Sequence, residues 1–169
     1  MAGNRKVYRD EEEQQLMAHL WSPVLADDPE MFVRFVFPWG KENTPLHEFT
    51  GPKKWQIKVL REIRDHIRAQ RLNKLNKLDM DTLRKALASG RGIGKSALIS
   101  WLILWMLSTR IGSTVIVSAN SEPQLKSVTW GELAKWHAMS INKHWFDISA
   151  TKLIPADWYG QLIERDLKN

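Results

Sequence analysis

A glycine-rich turn that ends in Gly94-Lys95-Ser96 has the residue types that bind a nucleoside triphosphate. Glycines allow main-chain N–H groups to wrap closely around phosphate oxygens. Lys95 would place its charge on the β- and γ-phosphates, and the Ser96 hydroxyl would ligate Mg²⁺. The usual pattern for such a loop begins with glycine, but this chain has serine at that position. The predicted nucleotide-binding residues of the loop are Ser89, Gly90, Gly92, Ile93, Gly94, Lys95, Ser96 and Ala97.

A phosphate loop leaves the edge of a sheet and enters a helix, so secondary structure is expected on both sides of it. Residues 97–107 are apolar and predict a buried helix whose N-terminal dipole would face the phosphates. Residues 82–88 predict a short strand, and the β-branched residues 113–119 predict a buried parallel strand. This order predicts an α/β fold with a phosphate-loop nucleotidase core, in which helices flank a partial parallel sheet. The alternative is a glycine-rich turn before an ordinary buried helix.

Further helices are predicted outside this core. Residues 9–20 predict a short helix whose first turn holds three solvated glutamates. Residues 30–37 follow an Asp28-Pro29 helix start, although their aromatic and β-branched content leaves a strand open. Residues 53–72 repeat an apolar side chain every four positions, which predicts a strong amphipathic helix. Residues 123–139 predict one more helix after the second strand.

The ring-bearing side chains are interpreted as packing groups. Trp101 and Trp105 lie four residues apart in the predicted buried helix, so we expect them to pack in the core or at an interface. Trp55 belongs to an apolar stripe, which favours core packing over stacking on a base. The five histidines lack the spacing of metal ligands and are interpreted as surface or packing residues.

Composition and charge limit the possible partners. The chain has 169 residues, no cysteine, a net charge of +6 and a pI of about 9.7. Its N-terminal residues are polar and its apolar runs are shorter than a bilayer span, so we expect a cytoplasmic protein without membrane contact. Residues 53–91 contain twelve Lys or Arg against four acidic residues, a local net charge of +8. Such a stretch beside a phosphate loop indicates a DNA or RNA partner, or else only a solvated helix face.

Four pieces of the chain, in this order and spacing, resemble the large terminase subunit of tailed bacteriophages. This family forms the ATP-driven motor that packages viral DNA. The resemblance runs from about residue 28 to residue 135. The four pieces are FVRFVFPWG (32–40), FTGPKKWQ (49–56), SGRGIGKS (89–96) and TVIVSANSEPQ (114–124).

The resemblance implies roles for particular residues and partners for the chain. Gln56 would hydrogen-bond adenine, for which a carboxamide offers a matching donor and acceptor. Arg91 would lie near the γ-phosphate as an arginine finger does, so Lys95 and Arg91 are the predicted catalytic residues. The implied cofactors are ATP and Mg²⁺. The implied partners are double-stranded DNA, the terminase small subunit, the portal and procapsid, and further copies in a ring, all in the host cytoplasm.

The sequence departs from the family at a second acidic motif. The family's fold needs an apolar strand that ends in Asp-Glu, and we find none in this chain; its nuclease domain is also missing. We therefore expect a helical segment over residues 1–48 and an incomplete ATPase domain over 49–169, from either a fragment or a naturally shortened protein. Whether this chain hydrolyses ATP stays open. Alternative functions are a nucleotide-responsive DNA-binding or assembly module without catalysis, a small phosphotransferase of the nucleotide-kinase type, and another phosphate-loop translocase or helicase.

Overall fold

The computed structural model describes residues 11–79, 81–88, 94–119 and 121–167, and these are mostly helical. No helix in these ranges is long and apolar enough to cross a membrane. The helices are α1 (Glu11–Leu20), α2 (Pro23–Ala26), α3 (Pro29–Val36), α4 (Lys54–Leu75), α5 (Lys95–Thr109), α6 (Glu122–Gln124), α7 (Gly131–Met139) and α8 (Asp157–Leu167), with a π-helical turn at Leu125–Trp130 and a 3-10 turn at Lys143–Trp145. The strands are β1 (Phe146–Ile148) and β2 (Leu153–Pro155).

The predicted α/β fold with a partial parallel sheet is wrong. In the described ranges the sheet has two strands, β1 and β2, which pair antiparallel with Phe146 opposite Pro155. Residues 82–88 are exposed and form no strand. Residues 113–119 also form no strand, although alternate side chains, including Val115 and Val117, pack against the core. β-branched residues favour an extended backbone, but a strand also needs a neighbouring ladder, which these residues lack within the described chain.

The helix over residues 30–37 is confirmed against the strand alternative, because α3 begins where the capping signal places it. The Asp28 carboxylate accepts a hydrogen bond from the Met31 N–H at 3.2 Å, and Pro29 occupies the first turn. Phe32, Val33 and Val36 are buried on one face of the helix. The predicted amphipathic helix over 53–72 is likewise confirmed as α4, which continues three residues further to Leu75.

Helix α5 lies at the centre of the molecule and packs against α2, α3 and α7. Trp101 is 1% exposed. Its ring makes edge-to-face contacts with Trp39 and Trp136, with centroid distances of 5.9 and 5.0 Å. Phe37 completes this cluster with its ring 4.9 Å from Trp136. Trp105 is also buried, so both tryptophans of α5 are packing groups as predicted. The Phe37–Trp39 segment of the FVRFVFPWG piece therefore packs in the core against the helix that begins at Lys95.

The C-terminal part of the described chain has a second aromatic cluster. Trp145 and Tyr159 stack with centroids 4.8 Å apart, and Phe146 meets Tyr159 edge-on at 5.8 Å. Burial raises the pKa of Tyr159 to about 12. Residues 123–139, predicted as one helix, form α6, the π-helical turn and α7 in succession.

Candidate functional site

Helix α5 begins at the end of the predicted phosphate loop. Gly94 caps the helix in a left-handed conformation, with φ 99° and ψ 24°, and Lys95 is the first helical residue. The first i→i−4 hydrogen bond runs from the Leu98 N–H to the Gly94 carbonyl at 3.2 Å. The amides of Ser96 and Ala97 precede this bond and point out of the N-terminal end of the helix, where the helix dipole favours an anion.

The first turn of α5 also has a charge that suits an anionic ligand. It contains Lys95 and no acidic residue. Ser96 is half-buried. Its main-chain carbonyl accepts a hydrogen bond from the Ser100 hydroxyl at 2.8 Å. This arrangement fits phosphate oxygens, with the Ser96 hydroxyl as the oxygen that could ligate Mg²⁺.

The rest of the predicted loop cannot be placed against these groups. Ser89, Gly90, Arg91, Gly92 and Ile93 lie outside the described residues. Their roles in nucleotide binding, and that of Arg91 near the γ-phosphate, stay predictions.

Gln56 lies next to the start of α5. Its side chain is 3% exposed, and its Nε2 donates a hydrogen bond to the Gly94 carbonyl at 2.9 Å. Its Oε1 accepts a hydrogen bond from the Lys53 N–H at 2.8 Å, so the same carboxamide also caps α4. The structure therefore brings together two residues from separate predicted motifs. The predicted contact of Gln56 with adenine stays a prediction.

Comparison of the chain with protein-family models, with curated proteins and with solved structures found no match.

The basic stretch that indicated a nucleic-acid partner is partly neutralised in the folded chain. Four arginines of α4 form ion pairs with three acids at or just before the start of α3. The pairs with their N–O distances are Arg61–Glu30 (2.6 Å), Arg64–Asp28 (3.9 Å), Arg68–Asp28 (3.6 Å) and Arg71–Asp27 (2.7 Å). The hydrogen bond from Arg61 holds the pKa of Glu30 below its ordinary value, with Arg34 contributing in the same direction. These arginines join α4 to the start of α3, and the pairing reduces the net positive charge of this part of α4.

Sequence reasoning missed a buried polar site formed by α1 and the C-terminal part of the chain. Glu13, expected to be a solvated helix-start residue, is 1% exposed. Its carboxylate accepts hydrogen bonds from Trp145 Nε1 at 2.5 Å and from His144 Nε2 at 2.8 Å. The missed signal is its spacing, because Glu13 shares one helix face with the buried Met17 and Leu20.

A second histidine of the C-terminal part, His137, is buried on α7. Its Nε2 lies 2.9 Å from the Lys143 carbonyl, and burial lowers its pKa. Within the described ranges, His, Asp and Glu side chains nowhere form a group of three that could hold a metal ion.

A cavity of about 490 Å³ lies away from the start of α5. It is lined by the C-terminal half of α5, by residues 111–115 with Val117, and by the β1–β2 hairpin. Its walls are mostly apolar, with Leu107, Val115 and Ile154 among them. This mostly apolar lining does not suit a triphosphate.

Proposed function

We propose that this chain binds the phosphates of ATP at the N-terminus of α5, as the ATP-binding part of a viral DNA-packaging motor. The observation that carries the proposal is the start of α5, where a left-handed Gly94 leads directly into Lys95 and Ser96. A phosphate-binding helix start combines free main-chain amides with a lysine and a hydroxyl residue in its first turn, and this helix start has both residues.

Each group at this end has a separate role in the proposal. Lys95 would neutralise charge on the outer phosphates, and the Ser96 hydroxyl would hold Mg²⁺. The amides of Ser96 and Ala97 would donate to phosphate oxygens. Mg²⁺, when bound, would supply a divalent charge that neutralises the phosphate oxygens.

The packaging role rests on the four sequence pieces that resemble the large terminase subunit. In that role the chain would act in a ring of copies on double-stranded DNA, with the small subunit, the portal and the procapsid as partners. Because the described fold has no parallel sheet, the proposal claims nucleotide binding for this chain and leaves hydrolysis to be measured.

The experiment compares nucleotide affinity between the purified protein and Lys95→Ala by isothermal titration calorimetry with ATP and Mg²⁺. We expect Lys95→Ala to weaken binding by about 10- to 150-fold, because a charge-assisted hydrogen bond contributes roughly 1.5–3 kcal/mol. Lys58→Ala is the matched control, because Lys58 is an exposed lysine on α4. Equal affinity in the protein and in Lys95→Ala would contradict the proposal.

DNA binding without catalysis is the second candidate. Exposed cations outside the arginine ion pairs of α4 favour it, among them Lys54, Lys58, Lys74, Lys77 and Arg84. A salt titration of duplex DNA binding separates the two candidates, since contacts to DNA phosphates weaken steeply as salt rises. DNA affinity that is unchanged in Lys95→Ala, together with undetectable ATP binding in the parent protein, would select this second candidate.

A further inference from the structure

We propose that Gln56 is a positioning residue that fixes the end of the phosphate loop through Gly94, and that it does not read the adenine base. This inference rests on the proposed function, because a positioning role has meaning only if phosphates bind at the start of α5. It assigns to Gln56 a contact with the protein in place of the contact with the ligand that the resemblance implies.

The orientation of the Gln56 carboxamide is determined by its two neighbours. The Lys53 N–H can only donate and the Gly94 carbonyl can only accept. Oxygen Oε1 must therefore face Lys53, and Nε2 must face Gly94, as the 2.8 and 2.9 Å contacts have it. One N–H of Nε2 and one lone pair of Oε1 are therefore engaged with the protein.

The N6/N7 edge of adenine needs one acceptor and one donor from a carboxamide. Reading the base would therefore use the second lone pair of Oε1 and the second N–H of Nε2. Because Gln56 is 3% exposed, a ligand can reach these groups only if the side chain leaves its pocket, which breaks both existing hydrogen bonds. A buried polar group that loses its partners is costly, so the existing contacts favour retention of the side chain where it lies.

Gly94 has the geometry that transmits this contact to the phosphate site. Its carbonyl accepts hydrogen bonds from both Gln56 Nε2 and the Leu98 N–H. A Cβ at Gly94 would lie 2.8 Å from Gln56 Nε2, so the side chain occupies the space that only glycine leaves open. Holding this carbonyl fixes the first turn of α5, which contains Lys95 and Ser96, before any ligand arrives.

The affinity experiment uses Gln56→Met, a neutral side chain of similar length that cannot form either hydrogen bond. Binding of ATP, GTP and inorganic tripolyphosphate is measured by calorimetry with Mg²⁺ in the parent protein and in the variant. We expect all three ligands to bind more weakly by the same factor, about five- to tenfold, which corresponds to the loss of one hydrogen bond. Tripolyphosphate has no base, and its affinity should fall by the same factor as the affinity for ATP.

Three other outcomes of the affinity experiment are decisive. Loss confined to ATP, with unchanged binding of tripolyphosphate, would make Gln56 an adenine reader and overturn the inference. Unchanged binding of all three ligands would overturn it as well, while leaving the proposed function intact. No binding of any ligand to the parent protein would instead overturn the proposed function, and the positioning role with it.

A second measurement separates the contact to Gly94 from the cap of α4. Gln56→Glu keeps an oxygen that accepts from the Lys53 N–H but has no hydrogen to donate to Gly94 at neutral pH. In the ligand-free protein, amide hydrogen exchange at Leu98 should become faster in both Gln56→Met and Gln56→Glu. Exchange at Lys53 should become faster in Gln56→Met alone. Exchange at Leu98 that is unchanged in both variants would show that Gln56 does not hold this turn.

Discussion

Two features of Gly94 make the residue at this position hard to replace. Its φ of 99° lies in the region that side chains with a Cβ rarely adopt, and the carboxamide of Gln56 fills the space where that Cβ would be. The first feature is a property of the backbone, and the second is a property of the packing. The two effects can be measured separately, because Gly112 also has a positive φ but has open space where a Cβ would lie.

We expect Gly94→Ala to lower the free energy of unfolding by about 1–3 kcal/mol from its backbone conformation, with a further loss from the contact to Gln56. The measurement is urea unfolding followed by circular dichroism. The matched control is Gly112→Ala, because Gly112 has φ 74° and open space around its would-be Cβ.

The two glycine variants give a clear comparison. If Gly94→Ala destabilises no more than Gly112→Ala, the close approach of Gln56 to Gly94 has no energetic consequence. If it destabilises more, adding Gln56→Ala to Gly94→Ala should recover part of the difference, as a double-mutant cycle would report.

At the scale of elements, ion pairs join α4 to the start of α3. Glu30 accepts hydrogen bonds from Arg61 at 2.6 Å and from Arg34 at 3.0 Å. Because these contacts lower the pKa of Glu30 from its ordinary value of 4.5, the folded state favours the ionised carboxylate. Their contribution to stability is therefore present above about pH 4.5 and is lost as the pH falls through the lower pKa of the folded state.

We expect Glu30→Gln to lower the thermal unfolding midpoint at pH 7 and to lower it by a smaller amount at pH 3. The physical reason is that the variant resembles the protonated form of Glu30, which the parent protein reaches only in acid. Differential scanning calorimetry across this pH range checks the prediction. Glu48→Gln is the control, since Glu48 is exposed and its ion pair with the exposed His47 has an N–O distance of 3.7 Å. If Glu30→Gln lowers the unfolding midpoint equally at pH 3 and pH 7, the result would count against the role of the ion pairs.

The helices were predictable from sequence because their signals are local. Asp28-Pro29 marks the start of α3, and an apolar residue at every fourth position marks α4. The predicted strand at residues 113–119 failed because β-branched residues report only a preference for extended backbone. Formation of a sheet depends on a second strand, and its presence cannot be deduced from the seven residues themselves.

One part of the candidate site was likewise predictable from local sequence, and another part was not. Gly94, Lys95 and Ser96 form a local motif, and the structure places them at a helix start as the motif indicates. The hydrogen bond from Gln56 to Gly94 spans 38 positions along the chain, and no pattern within either segment predicts it. The sequence showed both residues as candidates for the same ligand, but it could not show that they contact each other.

At the scale of the whole molecule, Glu13 joins the first described helix to the C-terminal aromatic cluster. Its contacts with Trp145 and His144 connect residues that lie 132 and 131 positions apart. Because Glu13 is buried, the Trp145 N–H has no access to a replacement partner from water if the carboxylate is removed.

We expect Glu13→Ala to lower the free energy of unfolding by about 1–3 kcal/mol, as an unsatisfied buried donor does. Glu13→Gln should lower the free energy of unfolding by less, because the amide oxygen of the new side chain can still accept a hydrogen bond from Trp145 Nε1. Chemical denaturation monitored by tryptophan fluorescence measures both variants. Glu11→Ala on the exposed side of the same helix is the control, and equal losses for Glu11→Ala and Glu13→Ala would refute the structural role of Glu13.

The sequence separation of Glu13 and Trp145 also sets an order of events during synthesis. A ribosome that adds about 5–20 residues per second delivers Trp145 roughly 7–26 seconds after Glu13. Throughout that interval the nascent α1 carries a carboxylate on its apolar face with neither of its final donors. We expect this helix to stay undocked until the segment that contains His144 and Trp145 has been translated.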